Sequence, residues 1–244
     1  MIRTFLKRLT KITKKQVFIT LGIILALALA TTLIITFSRP TEIENHWDVL
    51  NERYNLENET ALKGQIVFLG DSITEGFSVN DFLTSDLVLY NRGIGGDTTG
   101  GILNRLETNV LAIEPKIIVM LIGINDIHGG IDVSKIAENI DMILATIKAA
   151  LPDCLVYIES IYPTNGSTYP TLIDYWEEIL QCNLNLQTLC LEYGYTYINI
   201  YPLLLDGSQL NPDYSGDGLH LNAAGYDIVS ATLVSVIDDL TLKD

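Results

Sequence analysis

The chain is 244 residues long, 48% hydrophobic and 18% charged, which suits one globular domain of ordinary size plus an appendage. Its 15 basic and 30 acidic residues are unevenly spread: residues 1–40 hold seven of the basic ones and no acid. Residues 41–244 therefore carry a formal −22, which repels nucleic acid and anionic lipid headgroups and argues against both as partners.

Residues 1–16 contain Arg3, Lys7, Arg8, Lys11, Lys14 and Lys15. Val17–Phe37 is then uncharged for 21 residues and dominated by Ile, Leu and Ala. At ~1.5 Å per helical residue this run spans the ~30 Å hydrocarbon core of a bilayer. The sequence thus predicts a transmembrane helix over 17–37, with the basic residues 1–16 cytoplasmic and the remainder outside the cell. Secretion after signal cleavage is the rival reading, because Ala26-Leu27-Ala28 and Ala28-Leu29-Ala30 look like cleavage tripeptides. The apolar run, however, exceeds the usual ~7–15 residue signal core. Residues 38–64 are expected to link anchor to domain. Ile43, Trp47, Leu50 and Tyr54 recur there at helical spacing and predict a short amphipathic helix, lying on the domain or near the membrane interface.

From residue 65 onward strands and helices alternate. Ile66–Leu69 is a short apolar run, read as a buried strand, and Gly70-Asp71-Ser72 follows where it must turn. Asp71, Ser72 and Thr74 are all competent helix caps. Leu87–Tyr90 is a second strand, followed by the glycine-rich loop Asn91-Arg92-Gly93-Ile94-Gly95-Gly96-Asp97. Ile102, Leu103, Leu106, Val110 and Ile113 mark a helix capped by Asp97, Thr98 or Thr99 and closed before Pro115. Ile117–Ile122 is a fully buried strand ending at Gly123-Ile124-Asn125-Asp126. Val133–Ala150 is a helix, Leu155–Ile161 a strand, Leu172–Tyr193 a helix closed by Gly194, and Tyr195–Ile200 a strand. Asp217-Gly218-Leu219-His220 forms a turn, and Asn222 caps a last helix to about Leu240. The alternation predicts an α/β fold: one domain over 65–244, a three-layer α/β/α sandwich with a central, mainly parallel sheet of about five strands. Cys154, Cys182 and Cys190 are an odd count without a disulfide framework and read as buried apolar thiols, and no Cys/His spacing marks a metal site.

Chemistry-bearing residues fall after successive strands. Ser72 follows the first, Gly95-Gly96 the second, Asn125 the third, and Asp217 and His220 the fifth. In a parallel sheet all strand C-termini share one edge, so these groups can converge. A serine hydroxyl needs a base to become a nucleophile, and histidine is the usual one. Histidine needs an acceptor on its far nitrogen, and Asp217 stands three residues from His220. Backbone N–H groups of a tight glycine loop and an asparagine amide can hold a developing oxyanion. Gly95 and Gly96 can also serve simply to allow positive φ. His128 is a rival base, but no acid precedes it at a comparable offset, and it is read as lining the pocket.

The blocks Gly70-Asp71-Ser72, Gly96 in G-I-G-G-D-T-T, Gly123-Ile124-Asn125-Asp126 and Asp217-Gly218-Leu219-His220 occur in the order found in the GDSL-like, or SGNH, hydrolases, which the chain resembles from Gln65 to its end. The stretch N-R-G-I-G-G-D-T-T looks most like the branch holding platelet-activating-factor acetylhydrolase-like enzymes and carbohydrate O-acetylesterases. The resemblance implies a flavodoxin-like sandwich and a serine esterase. In it Ser72 is the nucleophile, His220 the base, Asp217 its orienter, and Ser72 N–H, Gly96 N–H and the Asn125 side chain the oxyanion donors, with no cofactor or metal. It implies an ester of an extracellular glycan or small molecule as substrate. A lysophospholipid or phospholipid acyl hydrolase, and a tethered non-catalytic binding module on the same scaffold, are the alternatives. G-D-S-I in place of the lipase G-D-S-L block speaks against a long-chain lipase.

Overall fold

The computed structural model describes residues 45–166 and 175–243, within a compact unit running from Asn45 to Asp244. The helix expected over 17–37, its basic flank and the first linker residues lie outside the described residues. Among the described residues no helix is long and apolar enough to cross a membrane.

Five parallel strands form the sheet: β1 (Ile66–Gly70), β2 (Leu89–Gly93), β3 (Ile117–Leu121), β4 (Leu155–Glu159) and β5 (Thr196–Ile198), standing in the order β2-β1-β3-β4-β5. β1 and β3 are buried at every position, so both faces of the sheet centre are covered. The winding reverses between β1 and β3, the place where sheets of this order open a crevice beyond their strand ends. The register makes that crevice concrete. Gly70 pairs with Gly93 on one side and with Leu121 on the other. Three neighbouring strands therefore end on one line, with Ser72, Gly96 and Asn125 two, three and four residues beyond it.

The helices are α1 (His46–Asn58), α2 (Ser72–Gly76), α3 (Val79–Phe82), α4 (Thr99–Arg105), α5 (Ile124–His128), α6 (Val133–Ala150), α7 (Trp176–Tyr193) and α8 (Ala223–Val234). α6 has the boundaries its periodicity predicts. Ile136, Ile140, Ile143, Leu144 and Ile147 are its buried stripe, each such burial being worth ~1.5–3 kcal/mol over exposure. α1 is the helix expected in the linker, and it lies on the domain. Leu50 and Tyr54 are buried with Ile94, and Trp47 packs at their edge. Asn45 caps it by accepting the Asp48 N–H.

Several boundaries differ from expectation for physical reasons. The second strand runs over Leu89–Gly93 rather than Leu87–Tyr90, because the ladder with β1 continues through polar Asn91 and Arg92. Arg92 is buried there, stacked between the Tyr54 and Tyr90 rings and paired with Glu57 at 2.9 Å. The helix expected to reach Ile113 is α-helical only to Arg105 and continues as a π turn, Leu106–Val110, and a 3₁₀ turn, Leu111–Ile113. The strands expected to reach Ile122, Ile161 and Ile200 stop at Leu121, Glu159 and Ile198. The last helix ends at Val234 instead of near Leu240. Continuing it would put Asp238 and Asp239 against its negative C-terminal end. The chain instead turns, burying Ile237 and Leu240, and Thr241–Leu242 pairs antiparallel with Leu83–Thr84. The expected start of α7 at Leu172 lies outside the described residues.

Candidate active site

β1 delivers its chain into a turn with no spare room. A Cβ on Gly93, beside it, would stand 2.1 Å from the Glu75 nitrogen, so the end of β2 and helix α2 approach as closely as only glycine allows. Asp71 is the cap of α2, accepting the Ile73 N–H at 2.9 Å. Of the three residues competent to cap, Asp71 takes the task, and the Ser72 hydroxyl is left to face elsewhere.

It faces His220. Ser72 Oγ lies 2.9 Å from His220 Nε2, and His220 Nδ1 lies 2.7 Å from Asp217 Oδ2. An ionised carboxylate can only accept, so Nδ1 carries the proton and Nε2 presents its lone pair to the serine O–H. Asp217 is itself fixed: its Oδ1 accepts the N–H groups of Leu219 at 2.9 Å and His220 at 2.8 Å. Partial burial pushes the Asp217 carboxyl up, but the bond from the His220 ring and those two N–H groups outweigh it and bring it down to about 2. Asp217 thus stays ionised throughout the neutral range. The opposite occurs behind the serine. Burial raises the Asp71 carboxyl to about 7 against the pull of the Ile73 N–H, and its Oδ2 is buried without a hydrogen-bond partner among the described residues.

The residues expected to supply oxyanion donors have the following surroundings. Ser72 opens α2, where a helix leaves its first N–H groups unsatisfied. Gly96 has φ +76°, and it is the member of the glycine pair that needs the left-handed region. The Gly95 N–H is committed to Glu75 Oε2 at 2.5 Å. Asn125 Nδ2 donates to the Asp97 carbonyl at 2.9 Å, tying the loop after β3 to the loop after β2 and leaving its second amide hydrogen. Asp97, one of the three cap candidates, is instead buried against Arg105, with Nε to Oδ2 at 2.7 Å. Thr98 caps α4. Asp126 accepts the Thr99 N–H at 2.9 Å and hydroxyl at 2.6 Å, which holds the start of α4.

His128 is not drawn into this group. It sits exposed at the end of α5, its ring 6.0 Å from that of Tyr175, and among the described residues it makes no hydrogen bond to Ser72, Asp217 or His220. Arg105 and Glu75 are residues sequence reasoning passed over, and Trp47, read there as part of the linker helix, was not linked to Asp97. The signal for Arg105 was present: it is a cation on the buried stripe between Ile102 and Leu106. Glu75 and Trp47 had none, because their partners are remote in sequence. The three cysteines are buried and unpaired. A cavity of about 420 Å³ opens between α1, β2 and α3, lined by Arg53, Tyr54, Glu75 and Arg92, but no member of the Ser72–His220–Asp217 line borders it.

Known proteins match the same stretch. The model of the GDSL-like lipase/acylhydrolase family matches residues 68–228. Platelet-activating factor acetylhydrolase IB subunit alpha1 of Rattus norvegicus is 27% identical over 219 residues, 85% of this chain and 91% of that protein. A solved Streptococcus pneumonia protein named for platelet activating factor superposes with a TM-score of 0.74 at 28% identity, over 85% of this chain and 98% of its own. A GDSL-like lipase of Bacteroides thetaiotaomicron superposes with a TM-score of 0.66 at 25% identity, over 77% and 97%.

Proposed function

The chain belongs to the GDSL-like lipase/acylhydrolase family of carboxylic ester hydrolases, and from that premise we propose that it removes acetyl or other short acyl groups from an extracellular glycan or small-molecule ester. The observation that carries the reading is the unbroken line Ser72 Oγ, His220 Nε2, His220 Nδ1, Asp217 Oδ2. Ser72 Oγ attacks the ester carbonyl while His220 takes its proton. The carbonyl oxygen becomes an anion held by Ser72 N–H, Gly96 N–H and the free Asn125 amide hydrogen. As the tetrahedral intermediate collapses, His220 protonates the departing alcohol. Water, deprotonated by His220, then attacks the acyl-serine, and a second collapse returns the Ser72 hydroxyl and releases the carboxylic acid. Asp217 keeps the ring in the productive tautomer and balances the imidazolium.

Support for a short acyl group comes from the G-D-S-I block and from the acetylhydrolase named among the relatives. Support for a bulky alcohol comes from exposure: the Asp217 and His220 side chains are 40% and 46% open to solvent, so the leaving group has space. The anchor belongs to the same reading, with residues 17–37 spanning the membrane and the hydrolase domain outside. Its support is the uncharged run and its basic flank. One experiment addresses both parts. Intact cells carrying the full chain are given membrane-impermeant esters of graded acyl length. Acetate and butyrate should be cleaved at least about tenfold faster than decanoate, the order expected when a few methylenes must be excluded. Decanoate preference would replace this reading by a phospholipid acyl hydrolase. Activity seen only after lysis would overturn the outward placement.

A further inference from the structure

The loop that carries Gly96 is short of means to hold itself. It contains Gly93, Gly95 and Gly96, and glycine brings more backbone freedom than any other residue. An oxyanion donor is useful only if its N–H is fixed before the charge develops. In this chain the fixing comes from α1, the helix that precedes the sheet.

α1 reaches the loop on both sides of Gly96. Tyr54 Oη donates to the Gly93 carbonyl at 2.7 Å. Ile94 is fully buried between Leu50 and Tyr54, with Trp47 at the edge of the cluster. Trp47 Nε1 donates to Asp97 Oδ1 at 3.0 Å. His46 Nε2 meets both oxygens of Glu75, at 2.9 and 3.0 Å, and Glu75 Oε2 takes the Gly95 N–H. Glu75 sits on α2 three residues after Ser72. Through it the nucleophile's helix, the donor loop and α1 are joined at one carboxylate.

We propose that α1 is a positioning element of the active site, with Trp47 and Glu75 as positioning residues that set where the Gly96 N–H stands relative to Ser72. Neither touches the substrate. Trp47 fixes the residue after Gly96, and Glu75 fixes the residue before it. The inference rests on Gly96 and Asn125 being the oxyanion donors. A donor displaced by a fraction of an ångström binds the ester about as well as before but stabilises the tetrahedral anion less, so the effect falls on kcat and not on KM.

The test uses the full chain, with kcat normalised to active sites titrated by acyl-enzyme burst. Trp47→Phe keeps an aromatic ring at the edge of the Ile94 cluster and removes the N–H together with part of the indole's bulk. Glu75→Ala removes the acceptor for Gly95, and Glu75→Gln restores it. Trp47→Phe and Glu75→Ala should each lower normalised kcat about ten- to a hundredfold, less than loss of a donor itself, with KM within about twofold. Glu75→Gln should recover most of the Glu75→Ala loss. Asn125→Ala, run alongside, should lose ~10²–10³. If Asn125→Ala keeps full turnover, the donor assignment fails and this proposal with it. If Asn125→Ala loses turnover while Trp47→Phe keeps wild-type normalised kcat, the role of α1 is overturned and the donor assignment stands. A Glu75→Ala protein that does not fold leaves Trp47→Phe to decide.

Discussion

Beside the proposed oxyanion donors, Asp97 and Arg105 meet at 2.7 Å with side chains 1% and 0% exposed; at the proposed base, Asp217 and His220 meet at the same 2.7 Å with side chains 40% and 46% exposed. The two pairs have equal separations and opposite surroundings. The buried pair belongs to a framework that also holds the Gly70 carbonyl through Arg105 and the Asn125 amide through the Asp97 carbonyl. Charges taken out of water are costly, and what they return is one arrangement. The exposed pair sits in a turn held by its own short-range bonds, with Gly218 at φ +83°. In the proposed mechanism a proton comes and goes there twice per turnover, and solvent contact keeps the charge change inexpensive. The proposed donors would be served by rigidity, the proposed base by access.

If that contrast is right, breaking one pair costs turnover and breaking the other costs the fold. Asp217→Asn is the larger effect. The asparagine oxygen can still accept the Leu219 and His220 N–H groups, so stability should move by less than about 1 kcal/mol, as for other exposed pairs. Its amide, however, donates toward His220 Nδ1, forces the proton onto Nε2 and removes the acceptor for the Ser72 hydroxyl. Turnover should fall ~10³–10⁴, measured as kcat on an acetate ester at fixed folded fraction. A loss below tenfold would take Asp217 out of the mechanism.

Arg105→Met should do the reverse. It leaves the Asp97 carboxylate buried without its cation, and loss of one partner of a buried pair costs ~3–5 kcal/mol. Denaturant unfolding reads this as a lower midpoint at unchanged slope. Wild-type stability in the variant would mean that the donor loop does not depend on the pair.

A third carboxyl lies beyond both cases. Glu159, at the end of β4, is buried, the Tyr162 hydroxyl donates to it, and burial lifts it from 4.5 to about 7. The native state therefore holds a proton that the unfolded chain releases. Glu159 is neutral-cost at low pH, and its contribution is lost as pH rises from about 4.5 through 7, a decline on the order of 3 kcal/mol at ~1.4 kcal/mol per unit. Asp217 acts with the other sign: held at about 2, it supports the fold above its ordinary 3.8 and loses that support as pH falls through 2, weakly because it is exposed. Glu159→Gln should flatten the decline between pH 4.5 and 7 in the unfolding free energy. An unchanged pH slope would show that Glu159 ionises normally in the native protein.

The contrast also explains what could be read from the chain alone. Ile66–Leu69 and Ile117–Leu121 are unbroken apolar runs because both sheet faces are covered, so the strands that end at the site were visible, and so was α6 with its regular stripe. Asp217 and His220 stand in one short motif whose chemistry is local, an aspartate three residues before a histidine announcing its partner, whereas Ser72, 148 residues from His220, was legible from its place after the first strand and the ordered blocks of the resemblance. The donor-side framework is assembled from remote residues. Asp97 meets Arg105 and Trp47, Glu75 meets His46 and Gly95, and Arg92 extends β2 because two tyrosines and Glu57 shelter its charge. No periodicity carries those pairings. Helix ends were missed for a related reason: the stop at Val234 answers to charge placement and to the strand partner of Thr241–Leu242, not to apolar spacing.

The central claim is that the Ser72 hydroxyl is the activated nucleophile, and covalent trapping tests it most directly. The full chain is treated with a serine-directed fluorophosphonate and the adduct mapped by peptide mass spectrometry. One adduct on Ser72, with no labelling and no ester hydrolysis in Ser72→Ala, is the result the account predicts. An adduct on another serine, or hydrolysis that persists in Ser72→Ala, would contradict it.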